Sequence, residues 1–300
     1  MKTLDAHSTL IRLNKPTEYN SYMEKLNCLN WKAGISLVSY GVRIGIRVNV
    51  STVLEHIPDF LPPGWEPSSS PVVDELYSLI VAEITPGLSS GDYHQLYREQ
   101  ERLAHTISLD EVFDTLDSDL RLQVGMSARH RLFVHAGVVG WRGRAIVIPG
   151  RSFSGKTTLV EALVKAGATY YSDEYAVLDT DGFVHPYPRP LAIRQEAGQR
   201  VKKCSVEELG GKSGIEPLPV GLVIHTKYQS GTPWHPHVIS LGQAVLALLD
   251  NTIVARTRPE FALPILPRAV SGALTLKGKR GEAQDVAITL LRQLEDWIGN

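Results

Sequence analysis

The chain has 300 residues, of which 43% are hydrophobic, and its 31 Lys and Arg residues almost balance its 32 Asp and Glu residues. This length is typical of about two domains, and the formal net charge of -1 argues against a general affinity for nucleic acids. The two cysteines, Cys28 and Cys204, lie far apart in the sequence, which favours a reduced protein without disulfides. Because no apolar run has the length of a signal peptide core or a membrane span, we expect a cytoplasmic protein that does not bind membranes.

Residues 1–130 are predicted to form an accessory α/β region, for which the sequence indicates no role. Apolar and polar residues alternate over Gly41–Asn49, which predicts a strand. The segment Ile57–Pro71 is rich in turn residues and is interpreted as a connection. Ser108 has the properties of a helix N-cap, with Glu111 three residues later, and the apolar spacing that follows predicts a helix to about residue 129.

Residues 131–300 are predicted to form a second domain, built on a mixed sheet. Two apolar segments joined by residues 140–143 predict a β-hairpin, and helices alternate with the strands that follow, which is typical of the α/β class. The predicted elements are strands over Leu132–Val139, Arg144–Ile148, Ala168–Ser172 and Val220–His225, a hairpin over residues 176–184, a helix from Ser240 to Leu249 and a terminal helix over Glu282–Ile298.

The apolar spacing of Leu159, Val160, Leu163 and Val164 predicts a further helix that ends near Gly167. Between the second of the predicted strands and this helix lies a glycine loop, residues 150–157, which fits the Walker A pattern G-x-x-x-x-G-K-[ST]. At a helix start the backbone N–H groups are unpaired and carry the positive end of the helix dipole, so they bind phosphate. The sequence therefore predicts a nucleotide-phosphate site, with a chance glycine-rich turn as the alternative. Its predicted binding residues are Gly150, Arg151, Ser152, Phe153, Ser154, Gly155, Lys156, Thr157 and Thr158.

Two adjacent acids, Asp173 and Glu174, follow the next predicted strand. If that strand lies beside the one that precedes the glycine loop, the acids come close to the γ-phosphate of a bound nucleotide. Carboxylates suit two tasks there, namely holding Mg²⁺ and accepting a proton from an attacking hydroxyl. We expect Asp173 to be the general base and Glu174 to hold the metal together with Thr157. The alternative is that both acids only cap a turn.

The stretch HAGVVGWRGRAIVIPGRSFSGKTTLVEALVKAGATYYSDE resembles the catalytic core of HPr kinase/phosphorylase, a bacterial serine kinase whose P-loop fold is related to phosphoenolpyruvate carboxykinase. The resemblance extends weakly through PYPRPLAIR and the strand near Val223, so it covers roughly the C-terminal half. It is closest to the HPr-kinase-like proteins that accompany peptide-modification pathways. The chain departs from the family's pattern in having Glu174 where the second acid is usually Asp, and Ala136 between His135 and the following glycine.

The resemblance implies an ATP-dependent serine kinase that uses Mg²⁺ and transfers the γ-phosphoryl to a small protein or peptide. His135, the counterpart of the family's histidine, is expected to be catalytic or to lie close to the phosphates, with a core structural role as the alternative. Arg189, among three prolines, is expected to meet phosphate or an acidic peptide, or to lie in a solvated loop. A regulatory nucleotide-binding module without transfer and a small-molecule kinase are the alternative functions. Similar kinases often assemble as multimers, so a homo-oligomer is a further expectation.

Three other features have expected positions. The basic run Lys277–Arg280 is predicted to be a solvated hairpin or loop tip, with substrate contact as the alternative. Cys204, which lies close to two lysines, is expected on a helix surface, although nearby positive charge could lower the pKa of its thiol. The pair His235 and His237 has no third ligand nearby in sequence, so no structural zinc site is expected there.

Overall fold

The computed structural model describes residues 4–5, 12–13, 26–82, 93–151, 154–194 and 201–299, which form a mixed α/β protein with mixed sheets. The chain divides into two units, Met1–Arg129 and His130–Asn300. The sequence places this division one residue later. Among the described residues, none of the helices combines the length and the apolar composition that crossing a membrane requires.

The first unit is built on an extended mixed sheet. The strands are β1 (Leu4–Asp5), β2 (Arg12–Leu13), β3 (Ala33–Ser39), β4 (Val42–Val48), β5 (Glu66–Pro67), β6 (Val72–Val73), β7 (Glu75–Ile80), β8 (His94–Arg98) and β9 (Glu101–Thr106). The strand order is β1-β3-β4-β7-β8-β9, with β5 also paired to β3, while β2 pairs with β6 in a separate two-stranded sheet. Neighbours in the larger sheet run antiparallel except β4 and β7. The strand expected over residues 41–49 is thus confirmed as β4.

The helix of the first unit, α1 (Leu109–Ser127), confirms the predicted N-cap. The Ser108 hydroxyl accepts a hydrogen bond from the Glu111 N–H at 3.3 Å. The Glu111 carboxylate does not close a reciprocal capping box, because it accepts from the Thr106 hydroxyl instead. The predicted connection over residues 57–71 is partly regular, since it contains a 3₁₀ turn, Ile57–Phe60, and the short strand β5.

The second unit contains ten strands and four helices among its described residues. The strands are β10 (Leu132–Trp141), β11 (Arg144–Pro149), β12 (Thr169–Ser172), β13 (Tyr175–Leu178), β14 (Val184–His185), β15 (Leu191–Arg194), β16 (Val201–Cys204), β17 (Val220–Tyr228), β18 (His237–Val238) and β19 (Leu274–Arg280). The helices are α2 (Lys156–Lys165), α3 (Leu241–Leu249), α4 (Pro259–Val270) and α5 (Ala283–Gly299). All the strands and helices predicted for this half are therefore present, with small shifts at their ends.

A mixed sheet with the order β14-β13-β10-β11-β17-β19-β18 forms the centre of this unit, and β12 also pairs with β10. Strands β11, β17 and β19 run parallel to one another, whereas the other pairs are antiparallel. Alternation along the strands sends apolar side chains to both faces. One face of the sheet packs in a core with α3 and α4, and the other packs with α2 and α5.

Two sequence-based expectations about loops and surfaces are wrong. The basic run Lys277–Arg280 is not a loop tip but the second half of β19, which pairs with β17 along its whole length. Its last residue, Arg280, is only 2% exposed. Cys204 is not on a helix surface, because it lies on β16 and is buried.

Helix α4 was not predicted from the sequence. Its segment contains Pro264 and Pro267, which normally end or kink a helix because proline lacks an N–H donor and clashes with the preceding turn. The apolar face that includes Ile265 and Leu266 packs into the core against the sheet. Burial of this face compensates for the local cost of the prolines, so tertiary packing determines the helix.

Glycines at two turns of the second unit allow a test of this packing. Gly182, in the β13–β14 turn, has a φ of +89°, and a Cβ there would lie 2.6 Å from the backbone N of Ala269 in α4. Gly143, in the β10–β11 turn, has a φ of +73° and open space around it. We expect Gly143→Ala to lose about 1–2 kcal/mol of unfolding free energy through backbone strain alone. Gly182→Ala should lose roughly 1–3 kcal/mol more, because backbone atoms cannot turn aside.

Urea unfolding of the two variants, followed by circular dichroism, measures this difference. Equal losses for both would contradict the close approach of the β13–β14 turn to α4.

Candidate functional site

The glycine loop joins β11 directly to α2, as the sequence predicts. Gly155 is the N-cap of α2, with a φ of +83°, in the left-handed region that glycine adopts without strain. At Gly150 a Cβ would lie 2.7 Å from the Ser154 hydroxyl oxygen, so that side chain would have to move. Two of the predicted binding residues, Ser152 and Phe153, lie outside the described residues.

The first turn of α2 has the electrostatics of an anion site. A glycine N-cap has no side chain that could accept hydrogen bonds from the N–H groups of this turn, so these donors depend on another acceptor. The first three helical residues, Lys156, Thr157 and Thr158, are basic or uncharged. The positive end of the helix dipole, N–H groups without an acceptor inside the helix, and a lysine therefore occur together at one helix end. Thr158 is exposed, whereas Thr157 is half-buried.

The side chain of Lys156 folds back across the glycine loop. Its side chain is largely buried, and its Nζ donates a hydrogen bond to the Arg151 carbonyl at 2.8 Å. Burial lowers the pKa of Lys156, and the negative charges of Asp173 and Glu174 oppose that shift. The Lys156 side chain thus bridges the loop, and its ammonium group lies close enough to Asp173 and Glu174 to interact with their charges.

Asp173 is held by hydroxyl groups from two elements. Its Oδ2 accepts from the Thr157 hydroxyl at 3.2 Å, and its Oδ1 lies 3.1 Å from the Tyr170 hydroxyl. Burial raises the pKa of Asp173, and the neighbouring charge of Glu174 raises it further. Hydrogen bonds from Tyr170, from the Ala192 N–H and from Thr157 act in the opposite direction, because they stabilise the ionised form.

The expected route by which Asp173 reaches the loop is wrong. Strand β12, which leads to Asp173, does not lie beside β11 but pairs with β10, with Val138 opposite Ser172. Strand β10 therefore separates the strand of the loop from the strand of the acids. The two meet because the first turn of α2 projects Thr157 toward Asp173 from one face of the sheet.

Glu174, the residue after Asp173, lies near Arg189. The Arg189 Nε is 4.0 Å from the Glu174 Oε2, the outer limit of an ion pair. The Arg189 carbonyl lies 2.8 Å from the Tyr170 hydroxyl, which has a single proton and so donates either to this carbonyl or to Asp173. Tyr170 thereby links the acid pair to the proline-rich segment around Arg189.

The backbone of His135 and Ala136 contacts both ends of the site. Its carbonyl accepts from the Gly150 N–H at 3.2 Å, and the next residue, Ala136, donates its N–H to the Glu174 carbonyl at 3.1 Å. The imidazole ring lies 4.7 Å from the ring of Tyr175. Strand β10 thus joins the start of the glycine loop to the acid pair through backbone hydrogen bonds. The imidazole ring of His135 contacts the aromatic ring of Tyr175.

One residue of this neighbourhood was not assigned to the site from the sequence. Arg280, at the end of β19, donates from Nη2 to the Gly155 carbonyl at 2.8 Å and from Nη1 to the Gly281 carbonyl at 3.0 Å. The sequence pattern that could have revealed its burial is strand alternation, because Arg280 lies four residues after Leu276 and falls on the same, buried face of the strand. The neighbouring lysines obscured that signal, because they make the segment read as a charged loop.

The described residues contain no group of three or more His, Cys, Asp or Glu side chains arranged to hold a metal ion. Of the histidine pair considered in the sequence, His237 is exposed on β18. A cation held jointly by a hydroxyl, a carboxylate and a bound phosphate is a different kind of site, because part of its coordination comes from the ligand.

Comparison of the chain with protein-family models gives no match, and comparison with curated proteins finds no relative. The evidence for the chemistry of the site therefore lies in the glycine loop, the start of α2, the acids Asp173 and Glu174, and the cationic residues beside them.

The hydrogen bond between Tyr170 and Asp173 can be tested by its effect on titration. We expect Tyr170→Phe to raise the pKa of Asp173 further, because the variant loses a donor to the ionised carboxylate. Carboxyl carbon NMR of the metal-free protein measures this shift. Tyr171→Phe is the matched control, since it loses a hydroxyl that donates to the Glu216 carbonyl at 2.7 Å instead.

Both variants should lose about 1 kcal/mol of unfolding free energy, the usual contribution of one hydrogen bond. An unchanged Asp173 titration in Tyr170→Phe, or the same shift in both variants, would exclude the proposed contact.

Proposed function

We propose that this protein is an ATP-dependent kinase that transfers the γ-phosphoryl group of Mg-ATP to a hydroxyl, most simply a serine on a small protein or peptide. One observation carries the proposal: the helix start that follows the glycine loop presents Thr157 within 3.2 Å of the Asp173 carboxylate. The resemblance of residues 135–174 to HPr kinase/phosphorylase supports the same reaction, the P-loop fold and the serine acceptor. Both lines of support involve the same residues.

The glycine loop and α2 supply the electrostatic part of this reaction. In phosphoryl transfer the transition state is loose, so catalysis depends on position and on stabilisation of spread negative charge. N–H groups of the first turn would bind phosphate oxygens, and Lys156 would neutralise charge that develops on them. Because Lys156 is already held across the loop through Arg151, it pays little entropy to act.

The residues present fit a magnesium ion. Hydroxyl and carboxylate oxygens are the ligands that Mg²⁺ prefers, and it usually takes one or two carboxylates together with substrate phosphates. Thr157 and Asp173 would hold it, and the raised pKa of Asp173 fits a buried acid beside a second acid. When bound, the ion neutralises charge on the β- and γ-phosphates.

The division of labour between the two acids follows from these contacts. From the sequence we expect Asp173 to be the base and Glu174 to assist the metal. The bond between Asp173 and Thr157 supports the reverse assignment, because it draws Asp173 toward the metal side of the site. Glu174 would then accept the proton of the attacking hydroxyl, with Arg189 at 4.0 Å steadying its carboxylate.

The two ends of α2 provide a test of the kinase. Lys156→Ala should reduce transfer of labelled phosphate from ATP to a serine-containing acceptor by about 10²–10³-fold, the usual cost of losing a preorganised charge. Lys165→Ala is the control, since Lys165 lies at the exposed end of the same helix and pairs only with Glu161 in the described contacts. Candidate acceptors are the peptides and small proteins encoded beside the gene.

The distribution of label also decides between the alternatives. Label on a small molecule would indicate a small-molecule kinase. Nucleotide binding that changes a partner's affinity without transfer would indicate a regulatory module. If Lys156→Ala binds and turns over ATP as the unaltered protein does, the phosphate-site interpretation is wrong.

Substitution of the acids separates their roles. With Asp173 on the metal side, Asp173→Asn should raise the Mg²⁺ concentration needed for half-maximal activity. Glu174→Gln should lower kcat by about 10²–10⁴-fold at saturating Mg²⁺, because a general base is lost. Asp181→Asn, an exposed acid in the β13–β14 turn, controls for the change in net charge.

Steady-state kinetics over a range of Mg²⁺ concentrations give both quantities. The opposite pattern would restore the assignment made from the sequence. Losses of only a few-fold in both variants would leave Asp173 and Glu174 as residues that cap a turn.

A further inference from the structure

Arg280 lies behind the glycine loop and has no role in the function proposed above. Arg280 is 2% exposed, although no other residue of the run Lys277–Arg280 is buried. A buried charge is costly unless it is paired, and the Nε of Arg280 has no hydrogen-bond partner among the residues that the structure describes. We therefore expect the hydrogen bonds that Arg280 does make to have a function that offsets the energetic cost of burying its charge.

The main contact is to the carbonyl of Gly155. This oxygen accepts two hydrogen bonds, one from Arg280 Nη2 at 2.8 Å and one from the Leu159 N–H of α2 at 3.2 Å. A carbonyl oxygen has two lone pairs, so the two donors complete its capacity. Arg280 thus reinforces the first hydrogen bond of α2 from outside the helix.

The peptide plane between Gly155 and Lys156 transmits this contact. In a trans peptide the C=O and the N–H point in opposite directions. Arg280 and Leu159 hold the carbonyl of Gly155 toward the helix, so the N–H of Lys156 points out of the helix start. That N–H is one of the unpaired donors at this terminus, which is where a phosphate would bind.

The glycine at position 155 is matched to this arrangement. A Cβ on Gly155 would lie 2.7 Å from Arg280 Nη2, so a side chain here would displace the guanidinium as well as strain the backbone. The aromatic ring of Tyr228, whose centroid lies 5.6 Å from the guanidinium carbon, covers Arg280. The Tyr228 hydroxyl donates in turn to the Glu282 carboxylate at 2.8 Å.

We propose that Arg280 is a positioning residue for phosphate binding: it fixes the Gly155–Lys156 peptide so that the Lys156 N–H faces the phosphates, and its charge adds to the positive field there. The charge of Glu282 partly compensates this buried cation, and the phosphate groups of a bound nucleotide would add further countercharge. This inference rests on the proposed function, since it assumes that the loop binds a nucleotide.

Two substitutions on one strand test the proposal. Arg280→Met removes the charge and the donors but keeps an apolar side chain of similar length, and we expect the Kd for ATP to rise at least tenfold. Lys279→Met removes an exposed charge one residue away and should change that Kd by less than threefold. Isothermal titration calorimetry on the full chain, with and without Mg²⁺, measures both constants.

A second measurement needs no nucleotide. The amide ¹H–¹⁵N signal of Lys156 in the nucleotide-free protein should shift in Arg280→Met and stay in place in Lys279→Met, because only the first variant releases the peptide. Millimolar guanidinium should restore part of the ATP affinity of Arg280→Ala and none of that of Lys156→Ala. Such chemical rescue would not be expected if Arg280 served only to stabilise the fold.

The outcomes separate this inference from the kinase proposal. If the unaltered chain binds ATP and Lys156→Ala does not, but Arg280→Met binds within threefold of normal, the role of Arg280 is wrong and the phosphate site stands. If the unaltered chain binds no nucleotide, the proposed function fails, and an unshifted Lys156 amide in Arg280→Met would overturn the positioning role as well. Should Arg280→Met not fold, Arg280→Gln replaces it, because it keeps a polar side chain but removes the charge and shortens the reach to the Gly155 carbonyl; normal ATP affinity in that variant overturns the proposal.

Discussion

The position of β10 between the strand of the glycine loop and the strands of the acid pair is the constraint on which the candidate site depends. Its residues 136–141 pair with β11 on one edge, and residues 132–140 pair with β13 and β12 on the other. Adjacent strands lie about 4.8 Å apart, so the loop and the acids are separated by roughly 10 Å across the sheet. A helix that starts over β10 brings them together, because its first turn carries Thr157 across that gap.

The charges of the site are interdependent for a related reason. Burial favours the neutral form of both Lys156 and Asp173, as the lowered pKa of the first and the raised pKa of the second indicate. The opposite charge of the neighbour counteracts this effect for Lys156, and hydrogen bonds do so for Asp173. Ionisation of the acids therefore supports ionisation of the lysine. A polyanion bound with a divalent cation would therefore meet a fixed positive group, Lys156, and fixed carboxylates, Asp173 and Glu174.

Local signals in the sequence predicted much of this unit. The glycine loop, the β10–β11 hairpin and the N-caps at Ser108 and Ser240 each depend on residues within a few positions of one another, so a short window contains the information. The pairing partner of β12 depends on which strands meet across the sheet, and the sequence suggested β11 instead of β10. The strand pattern of β12 itself was clear; the error arose because its pairing partner lies in a distant part of the chain, which local patterns do not identify.

Two further differences arise from competing effects. The prolines of α4 disfavour a helix locally, and only the core that the helix covers overrides them. The lysines around Arg280 indicate a solvated segment, yet alternation sends Lys277 and Lys279 outward and Arg280 inward. In both cases the residue type predicts the environment wrongly because the neighbouring strands and helices determine it.

The parallel ladder of β11, β17 and β19 has a consequence for how the chain folds during synthesis. Hairpin β10–β11 can pair as soon as it leaves the ribosome, but the second edge of β11 must wait for β17, and β17 must wait for β19. Contacts between such distant segments form slowly, and an unpaired apolar edge can capture a strand from another chain. We therefore expect the nascent protein to need shelter by chaperones for most of the time during which its second half is translated.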